Sequence, residues 1–302
     1  MPVPDYQSLM LPVLQFAAEN GPHSISAAIN HVDRTFKLTP EEKNELLPSG
    51  KMTRLKNRVG WARTYLKQAG LIEYPTRGRF QITDEGRALL ATNPSHIDIS
   101  VLSQYDAFLE FKNRRSDKSE GGNLGSTDES PETPEEALES AYIKLRSEVE
   151  ADALNHARAV SPSYFEQLVV DVLVKMGYGG NRSDAAKAVG QSGDEGIDGV
   201  INEDVLGLDV VYIQAKRWEA PVSRPEIQKF VGALAGKQAR KGVFITTSTF
   251  TSGAIDFISR VDPRVILIDG KRLAQLMVEY NVGVSTVGVF EIKRVDSDYF
   301  DE

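Results

Sequence analysis

The chain has 302 residues, of which 41% are hydrophobic and 26% are charged, and its formal net charge is −8. At roughly 150 residues per domain this length predicts about two domains, and the composition is typical of a globular protein. No apolar run approaches the roughly 18 residues of a membrane span, and the start of the chain lacks the pattern of a signal peptide. The sequence has no cysteine, which excludes disulfides, thiolate zinc sites and cysteine nucleophiles. We therefore expect a cytoplasmic protein with no membrane partner.

The charge is unevenly distributed along the chain. Residues 116–150 hold three basic and ten acidic residues, whereas residues 51–87 hold nine basic and three acidic residues. The overall negative charge is therefore no argument against a nucleic-acid partner. Residues 116–134 are rich in Gly, Ser, Asp, Glu and Pro, which predicts an acidic flexible linker. This linker would separate an N-terminal domain, residues 1–115, from a C-terminal domain, residues 135–302.

The N-terminal domain is predicted to be rich in helices, which lie near residues 5–19, 24–35, 40–46 and 52–69. Two short strands, Leu71–Tyr74 and Arg79–Thr83, follow and are joined by a turn at Pro75–Gly78. Asp84 is expected to cap a short helix, and a further helix is expected near Ile99–Arg115. A run of helices followed by a hairpin predicts an α-rich winged helix, a relative of the helix-turn-helix DNA readers.

Basic residues occur on both the fourth helix and the hairpin of this domain. Lys51, Arg54 and Arg58 recur at spacings of three and four residues, so they can share one face of the helix. Arg77 and Arg79 lie at the tip of the hairpin. These five residues are the predicted DNA contacts, because cations in such places suit phosphate groups. A solvated basic helix in a protein-binding winged helix is the alternative.

The C-terminal domain alternates helices and strands. Thr133 is expected to cap a helix over residues 134–158, and Ser161 a helix that reaches Met176. Strands are then predicted at Gly196–Asn202, Asp209–Lys216, Gly242–Thr247 and Val265–Ile268, and helices at Arg224–Gln238, Ser252–Ser259 and Arg272–Tyr280. This order predicts an α/β domain around a central mixed sheet.

One group of polar residues stands out in this domain. Asp198 lies in the glycine-rich run GDEGIDG, and Gln214 and Lys216 follow within the otherwise apolar strand VVYIQAK. Alternation along a strand places Gln214 and Lys216 on the same face, with the residue between them toward the core. Buried charge is costly unless it is paired, and Asp198 could supply the compensating carboxylate.

This pattern resembles the PD-(D/E)xK nuclease superfamily in its Gln variant and, more closely, the Mrr-type restriction endonucleases. The matching runs are SYFEQLVVDVLVKMGYGG (163–180), GDEGIDGVI (193–201), YIQAKRW (212–218), ALAG (233–236) and KGVFITTSTFT (241–251). The runs NRVGWARTYLKQAGLI (57–72) and RGRFQIT (77–83) are similar to the winged-helix domain of that family. The resemblance implies a restriction-endonuclease-like C-terminal domain. It also implies a type IV, modification-dependent enzyme that cleaves methylated double-stranded DNA with Mg²⁺.

The resemblance also implies roles for four residues. Asp198 would be a metal ligand, and Gln214 would coordinate the metal through its amide oxygen in place of the usual second acid. Lys216 would orient the attacking water and stabilise negative charge on the phosphate, and Glu166 matches an acid from the first core helix. Each has a plainer interpretation: a turn carboxylate, a structural hydrogen-bonding amide, a strand-end lysine and an exposed helix residue, in that order.

Several further residues stay open between a functional and a structural role. Asp194 and Glu195 could join the metal site or could be turn acids. Possible DNA contacts, with surface packing as the alternative, are Arg182, Arg217 and Trp218. Residues that could touch phosphate or cap the next helix are Thr246, Thr247 and Ser248.

Cutting both strands of a duplex requires two active sites, so we expect a homodimer or a higher homo-oligomer during cleavage. Two other functions remain open: a DNA-binding regulator with an inactive nuclease fold, and a repair nuclease that is indifferent to methylation. The run GALAGKQ at residues 232–238 lacks the spacing and the Ser or Thr of a nucleotide-binding P-loop, which argues against an ATP-driven motor.

Overall fold

A computed structural model of the protein describes residues 3–116, 132–179, 196–204 and 207–293. The chain divides into two compact units, Met1–Ile143 and Lys144–Glu302. The division falls inside one long helix, Pro134–Ala159, so the first turns of that helix belong with the N-terminal unit. Most of the predicted linker, residues 117–131, lies outside the described residues, and the linker therefore stays a prediction.

The N-terminal unit is built from short helices around a small sheet. Its helices before the linker are α1 (Met10–Ala17), α2 (Ile25–Phe36), α3 (Pro40–Lys43), α4 (Arg54–Gln68), α5 (Asp84–Ala91), α6 (Ile99–Leu102) and α7 (Asp106–Ser116). Its strands are β1 (His23–Ser24), β2 (Ile72–Thr76) and β3 (Arg79–Ile82). The strand order is β1-β3-β2, and both pairings are antiparallel.

Three details of this unit differ from the sequence-based prediction. The expected single helix near Ile99–Arg115 is two helices, α6 and α7. Strand β1 was not predicted, because two residues are too few to show an alternating pattern. Asp84 was expected to cap α5, but it is already the first helical residue. The cap is Thr83, whose extended backbone lets its hydroxyl accept the backbone N–H of Gly86 at 3.1 Å.

Helix α4 forms the centre of this unit. Its apolar side chains Leu55, Val59 and Leu66 are fully buried and belong to one core with residues of α1, α2 and β3. These residues are four and seven positions apart, which is about one and two helical turns, so they form one stripe along the helix. The polar remainder of α4 is consequently directed away from the core.

The C-terminal unit contains a four-stranded sheet between helices. The helices are α8 (Pro134–Ala159), which begins in the N-terminal unit, α9 (Pro162–Lys175), α10 (Arg224–Gly236), α11 (Ser252–Ile258) and α12 (Gly270–Glu279). The strands are β4 (Gly199–Asn202), β5 (Val210–Lys216), β6 (Lys241–Thr246) and β7 (Arg264–Ile268). The order is β4-β5-β6-β7, with β4 antiparallel to β5 and the other pairs parallel. The predicted mixed sheet is confirmed.

Both faces of this sheet are covered. Ile213 and Ala215 of β5 pack in a core with residues of α9, α12 and the end of α8, as expected from strand alternation. Tyr212 packs on the opposite face, in a second core that α10 and Phe244 share. Strand β5 is therefore interior, and a polar side chain on it needs a hydrogen-bond partner within the protein.

No helix in the described ranges combines the length and the apolar content that a bilayer span requires.

Gly270, at the start of α12, lies against the backbone at the end of β6. A Cβ atom added to Gly270 would lie 2.4 Å from the carbonyl oxygen of Thr247. We expect Gly270→Ala to lower the free energy of unfolding by about 1–3 kcal/mol, because backbone cannot yield as a flexible side chain does. The control is Gly232→Ala in α10, where nothing lies within 4 Å of the added atom. Equal stability of the two variants in chemical denaturation would contradict this account.

Candidate active site

Asp198 is positioned by the pairing of β4 with β5. Its backbone N–H donates to the carbonyl oxygen of Ile213 at 2.9 Å, immediately before Gly199 pairs with the same residue. This register brings the Asp198 carboxylate beside the last residues of β5. Its Oδ2 accepts the backbone N–H of Ala215 at 2.8 Å and a hydrogen bond from the amide Nε2 of Gln214. The carboxylate is thus oriented by two donors from β5.

Gln214 is the most deeply buried polar residue of the group, with 2% of its surface exposed. Its Nε2 donates to Asp198, so part of its hydrogen-bonding requirement is met inside the protein. Gly196 lies close to the other end of the amide, because a Cβ added there would be 3.5 Å from the Gln214 Oε1. Gly196 has a φ of +109°, a conformation that other residues rarely adopt, so glycine suits this approach.

Lys216 ends β5 and carries the cation of the group. Its Nζ lies 3.7 Å from the Asp198 Oδ2, and its side chain is 31% exposed. The Lys216 ammonium group lies beside an oriented carboxylate and is still partly exposed, so it can also contact a ligand at the surface. The structure therefore brings Asp198, Gln214 and Lys216 together, as the sequence predicted.

Glu166 of α9 is the fourth member of the predicted group. Burial raises the pKa of its carboxyl group above the ordinary value, the charge of Asp198 raises it further, and the charge of Lys216 lowers it. Helix α9 packs against β5, which explains this electrostatic contact. Glu166 consequently lies within electrostatic range of both residues, without a hydrogen bond or an ion pair to either.

The oxygen atoms of this group fit a hard divalent cation. Two carboxylates and one amide oxygen are available from Asp198, Glu166 and Gln214, and Mg²⁺ prefers such ligands. The repulsion between Asp198 and Glu166 would be offset by a cation near them. The ranges that the structure describes contain no cluster of three His, Asp or Glu residues suited to a metal. Asp194 and Glu195 lie outside these ranges.

The hydroxyl groups at the end of β6 and just after it support the end of β5. Thr246 donates to the carbonyl oxygen of Lys216, Thr247 to that of Trp218 and Ser248 to that of Glu219, each at 2.8 Å. All three are buried and hold the end of β5 and the residues after it in place, and none of them caps the next helix. Thr251 caps α11 instead.

Arg158, in the last turn of α8, is a supporting residue that the sequence did not indicate. Its Nε and Nη2 donate to the carbonyl oxygen of Thr247 at 3.2 and 3.0 Å. Arg217 in turn donates to the carbonyl oxygen of Arg158 at 2.7 Å, which gives this predicted DNA contact a structural bond. Trp218 is 37% exposed, and Arg182 lies outside the described residues. No sequence pattern marks Arg158, because its partner is a backbone atom far along the chain.

The predicted DNA contacts of the N-terminal unit fall into two groups. Arg54 and Arg58 both contact the carboxylate of Glu136, at 2.8 and 3.0 Å. Lys51 is exposed, and so are the two hairpin residues, Arg77 and Arg79. Arg79 donates to the carbonyl oxygen of Pro22 at 3.0 Å. The structure therefore places Arg54 and Arg58 in an internal ion cluster and the other three at the surface.

Comparisons with known proteins identify the family of this chain. A family model described as a restriction endonuclease, Mrr_cat, matches residues 157–277, and the model of the Mrr N-terminal domain matches residues 6–92. The type IV methyl-directed restriction enzyme EcoKMrr of Escherichia coli (strain K12) is 39% identical over 310 residues, which cover 100% of both chains. The solved structure of MspJI restriction endonuclease in complex with a 27-mer oligonucleotide is 25% identical, with a TM-score of 0.29. That similarity covers 54% of this chain and 36% of the other. On the two domain models and the full-length identity, the chain belongs to the Mrr-type restriction endonucleases.

Proposed function

We propose that this restriction endonuclease hydrolyses phosphodiester bonds of methylated double-stranded DNA with the aid of Mg²⁺. The observation that carries the proposal is the contact of Asp198 with both Gln214 and Lys216 at the end of β5. The E. coli relative is a methyl-directed enzyme, which supports methylated DNA as the substrate. The proposed compartment is the cytoplasm.

Each side chain has a distinct part in this reaction. Asp198 and Gln214 would hold the metal ion through their oxygen atoms, with Glu166 as a nearby acid. The ion would supply positive charge at the scissile phosphate and promote ionisation of the attacking water. The Lys216 ammonium orients that water and offsets the charge that develops on the phosphate oxygens. The water oxygen bonds to phosphorus as the bond to the leaving sugar oxygen breaks, which leaves a phosphate monoester and a hydroxyl group.

The N-terminal unit is proposed to be a winged helix that binds DNA. The order of α1, β1, α2, α4 and the β2–β3 hairpin, with β3 central in its sheet, supports this assignment. The proposed division is a recognition domain at residues 1–115, a linker at 116–134 and a nuclease domain at 135–302, with the start of α8, up to Ile143, packed on the recognition domain. A homodimer or higher oligomer would supply the second active site for the second strand.

Lys216→Ala is expected to slow cleavage of a methylated plasmid by about 10²–10³-fold, the usual effect of removing one group that stabilises the transition state. The matched control is Lys175→Ala at the exposed end of α9, which removes the same charge away from the site. Initial rates of nicking and linearisation in Mg²⁺ measure the effect. Equal rates for the wild type and Lys216→Ala would refute the catalytic assignment.

Metal and methylation dependence are tested on the wild-type protein with paired plasmids of one sequence. We expect excess chelator to abolish cleavage, added Mg²⁺ to restore it, and the methylated plasmid to be cut faster. Unaltered cleavage in chelator would exclude a metal requirement. Equal cleavage of both plasmids would favour the repair nuclease, and binding without nicking under any divalent ion would favour the inactive regulator.

Glu166→Gln should stabilise the protein at neutral pH while it slows cleavage. A raised pKa means that the folded state binds the proton more tightly, so stability falls as pH rises through the interval between the unfolded and folded values. The amide removes this loss, because it cannot ionise. Thermal unfolding in chelator from about pH 3 to pH 8 measures this difference. The variant should unfold at a higher temperature than the wild type at the upper end of the range, and at nearly the same temperature below about pH 4. Parallel curves would contradict this account.

A further inference from the structure

Helix α4 carries its basic side chains on two different faces. It has five basic residues and no acid, and the core stripe separates them. Arg54 and Arg58 lie four positions apart on one face. Lys56, Arg63 and Lys67 are separated by seven and four positions, which are about two turns and one turn, so they share the other face.

The first face is covered by the start of α8. Glu136 is 3% exposed and contacts both Arg54 and Arg58, while Arg54 also contacts Glu45 at 2.9 Å. Trp61, on the same side of α4, donates its indole N–H to a carboxylate of the same turn of α8. A DNA phosphate at this face would have to displace a buried carboxylate from two guanidinium groups, which is costly in a desolvated site.

The start of α8, which covers this face, is itself fixed in place by a capping box. The backbone N–H of Thr133 donates to the Glu136 carboxylate at 2.9 Å, and the backbone N–H of Glu136 donates to the Thr133 hydroxyl at 3.2 Å. The same hydroxyl bonds to the buried side chain of Asn57 in α4. Glu136 therefore serves the helix start and the ion cluster at once, so the contact is part of the folded N-terminal unit.

The second face is exposed at both ends, half-buried at Arg63, and continues onto the hairpin. Lys56 and Lys67 are exposed, and the Lys67 Nζ lies 4.5 Å from the ring centre of Tyr74 on β2. The Arg63 guanidinium lies 5.1 Å from the Tyr74 ring centre and 5.9 Å from that of Phe80. Aromatic rings, rather than acids, thus orient these two cations. Within the described ranges, no carboxylate lies at ion-pair distance from any of the three basic residues.

Gly60 lies between these cations and adds to the accessibility of the face. An added Cβ there would meet no atom within 4 Å, so the helix backbone can be approached closely. The eleven positions from Lys56 to Lys67 span about 16 Å of helix, comparable with the roughly 12 Å width of a DNA major groove. Positive charge without matching acids, along a helix of this reach, suits a duplex backbone.

We propose that Lys56, Arg63 and Lys67, together with Tyr74, form the DNA-binding face of the N-terminal unit, and that Arg54 and Arg58 fasten α8. The assignment rests on the proposed function, because it takes duplex DNA as the ligand. It moves the expected contact to a face that the sequence-based set did not include.

The test compares two double variants of the full-length protein. Lys56→Ala with Lys67→Ala removes two charges from the proposed face. Lys37→Ala with Arg87→Ala removes two exposed charges of the same unit elsewhere. Affinity for one methylated duplex is measured in chelator at several salt concentrations. We expect the first double variant to bind at least about tenfold more weakly, with the slope of log K against log salt smaller by about two. The control should bind as the wild type does.

Three results would overturn the proposal. The first is wild-type affinity and salt slope in the Lys56→Ala, Lys67→Ala variant, with unchanged thermal unfolding. The second is an equal loss of affinity in both double variants. The third is tighter DNA binding by Glu136→Gln, which would show that Glu136 withholds Arg54 and Arg58 from DNA. The proposal expects Glu136→Gln to melt at a lower temperature and to bind DNA within about twofold of the wild type. A twofold change in affinity is well below the tenfold loss, about 1.4 kcal/mol, that is expected of the Lys56→Ala, Lys67→Ala variant.

Failure of this face and failure of the proposed nuclease give different results. If the wild type cleaves DNA and the Lys56→Ala, Lys67→Ala variant binds it normally, the face is wrong and the nuclease stands. If the wild type binds DNA through this face but never cleaves it in Mg²⁺, the face stands and the nuclease proposal fails.

Discussion

The candidate active site depends on the register between β4 and β5. Two backbone-anchored hydrogen bonds set it: the Asp198 N–H reaches Ile213, and the Asp198 carboxylate accepts the N–H of Ala215. A slip of one residue would exchange the two faces of β5 and carry Gln214 and Lys216 away from Asp198. The cores on both sides of β5 resist such a slip, because it would bury the polar side chains where the apolar ones now pack. Fold and chemistry are therefore specified by the same pairing.

Glutamine at position 214 changes the electrostatics of this site. A carboxylate in its place would lie in contact with Asp198, and two like charges in a buried position repel each other. The amide of Gln214 instead donates a hydrogen bond to Asp198, so these two residues are held together by the protein alone. Repulsion is left to the pair of Glu166 and Asp198, which is the more open part of the group. The arrangement combines a preformed inner pair with an outer acid that a cation would stabilise.

Patterns in the sequence predicted the parts of this protein whose geometry is set by residues that lie close together in the chain. The mixed sheet and the meeting of Asp198, Gln214 and Lys216 follow from strand alternation and a short connection between neighbouring strands. Contacts between distant segments have no such pattern. Arg58 and Glu136 are 78 positions apart, and a row of arginines on a helix has the same spacing whether it meets an acid or water. The hydroxyls of residues 246–248 were ambiguous for the same reason, since their partners are backbone carbonyls about 30 positions away.

Glu136 also determines where the chain can be divided. A fragment that stops at residue 115 would lack the acid that neutralises Arg54 and Arg58, and it would lose the partner of the Trp61 indole. It would expose an apolar and positively charged surface that is covered in the whole chain, and such a fragment could bind nucleic acid or aggregate for reasons unrelated to its role in the intact protein. An N-terminal fragment that reaches Ile143 keeps this ion cluster closed. In the sequence, Glu136 thus lies in the helix that follows the acidic stretch. Its stabilising contacts, however, are with the domain that precedes this stretch.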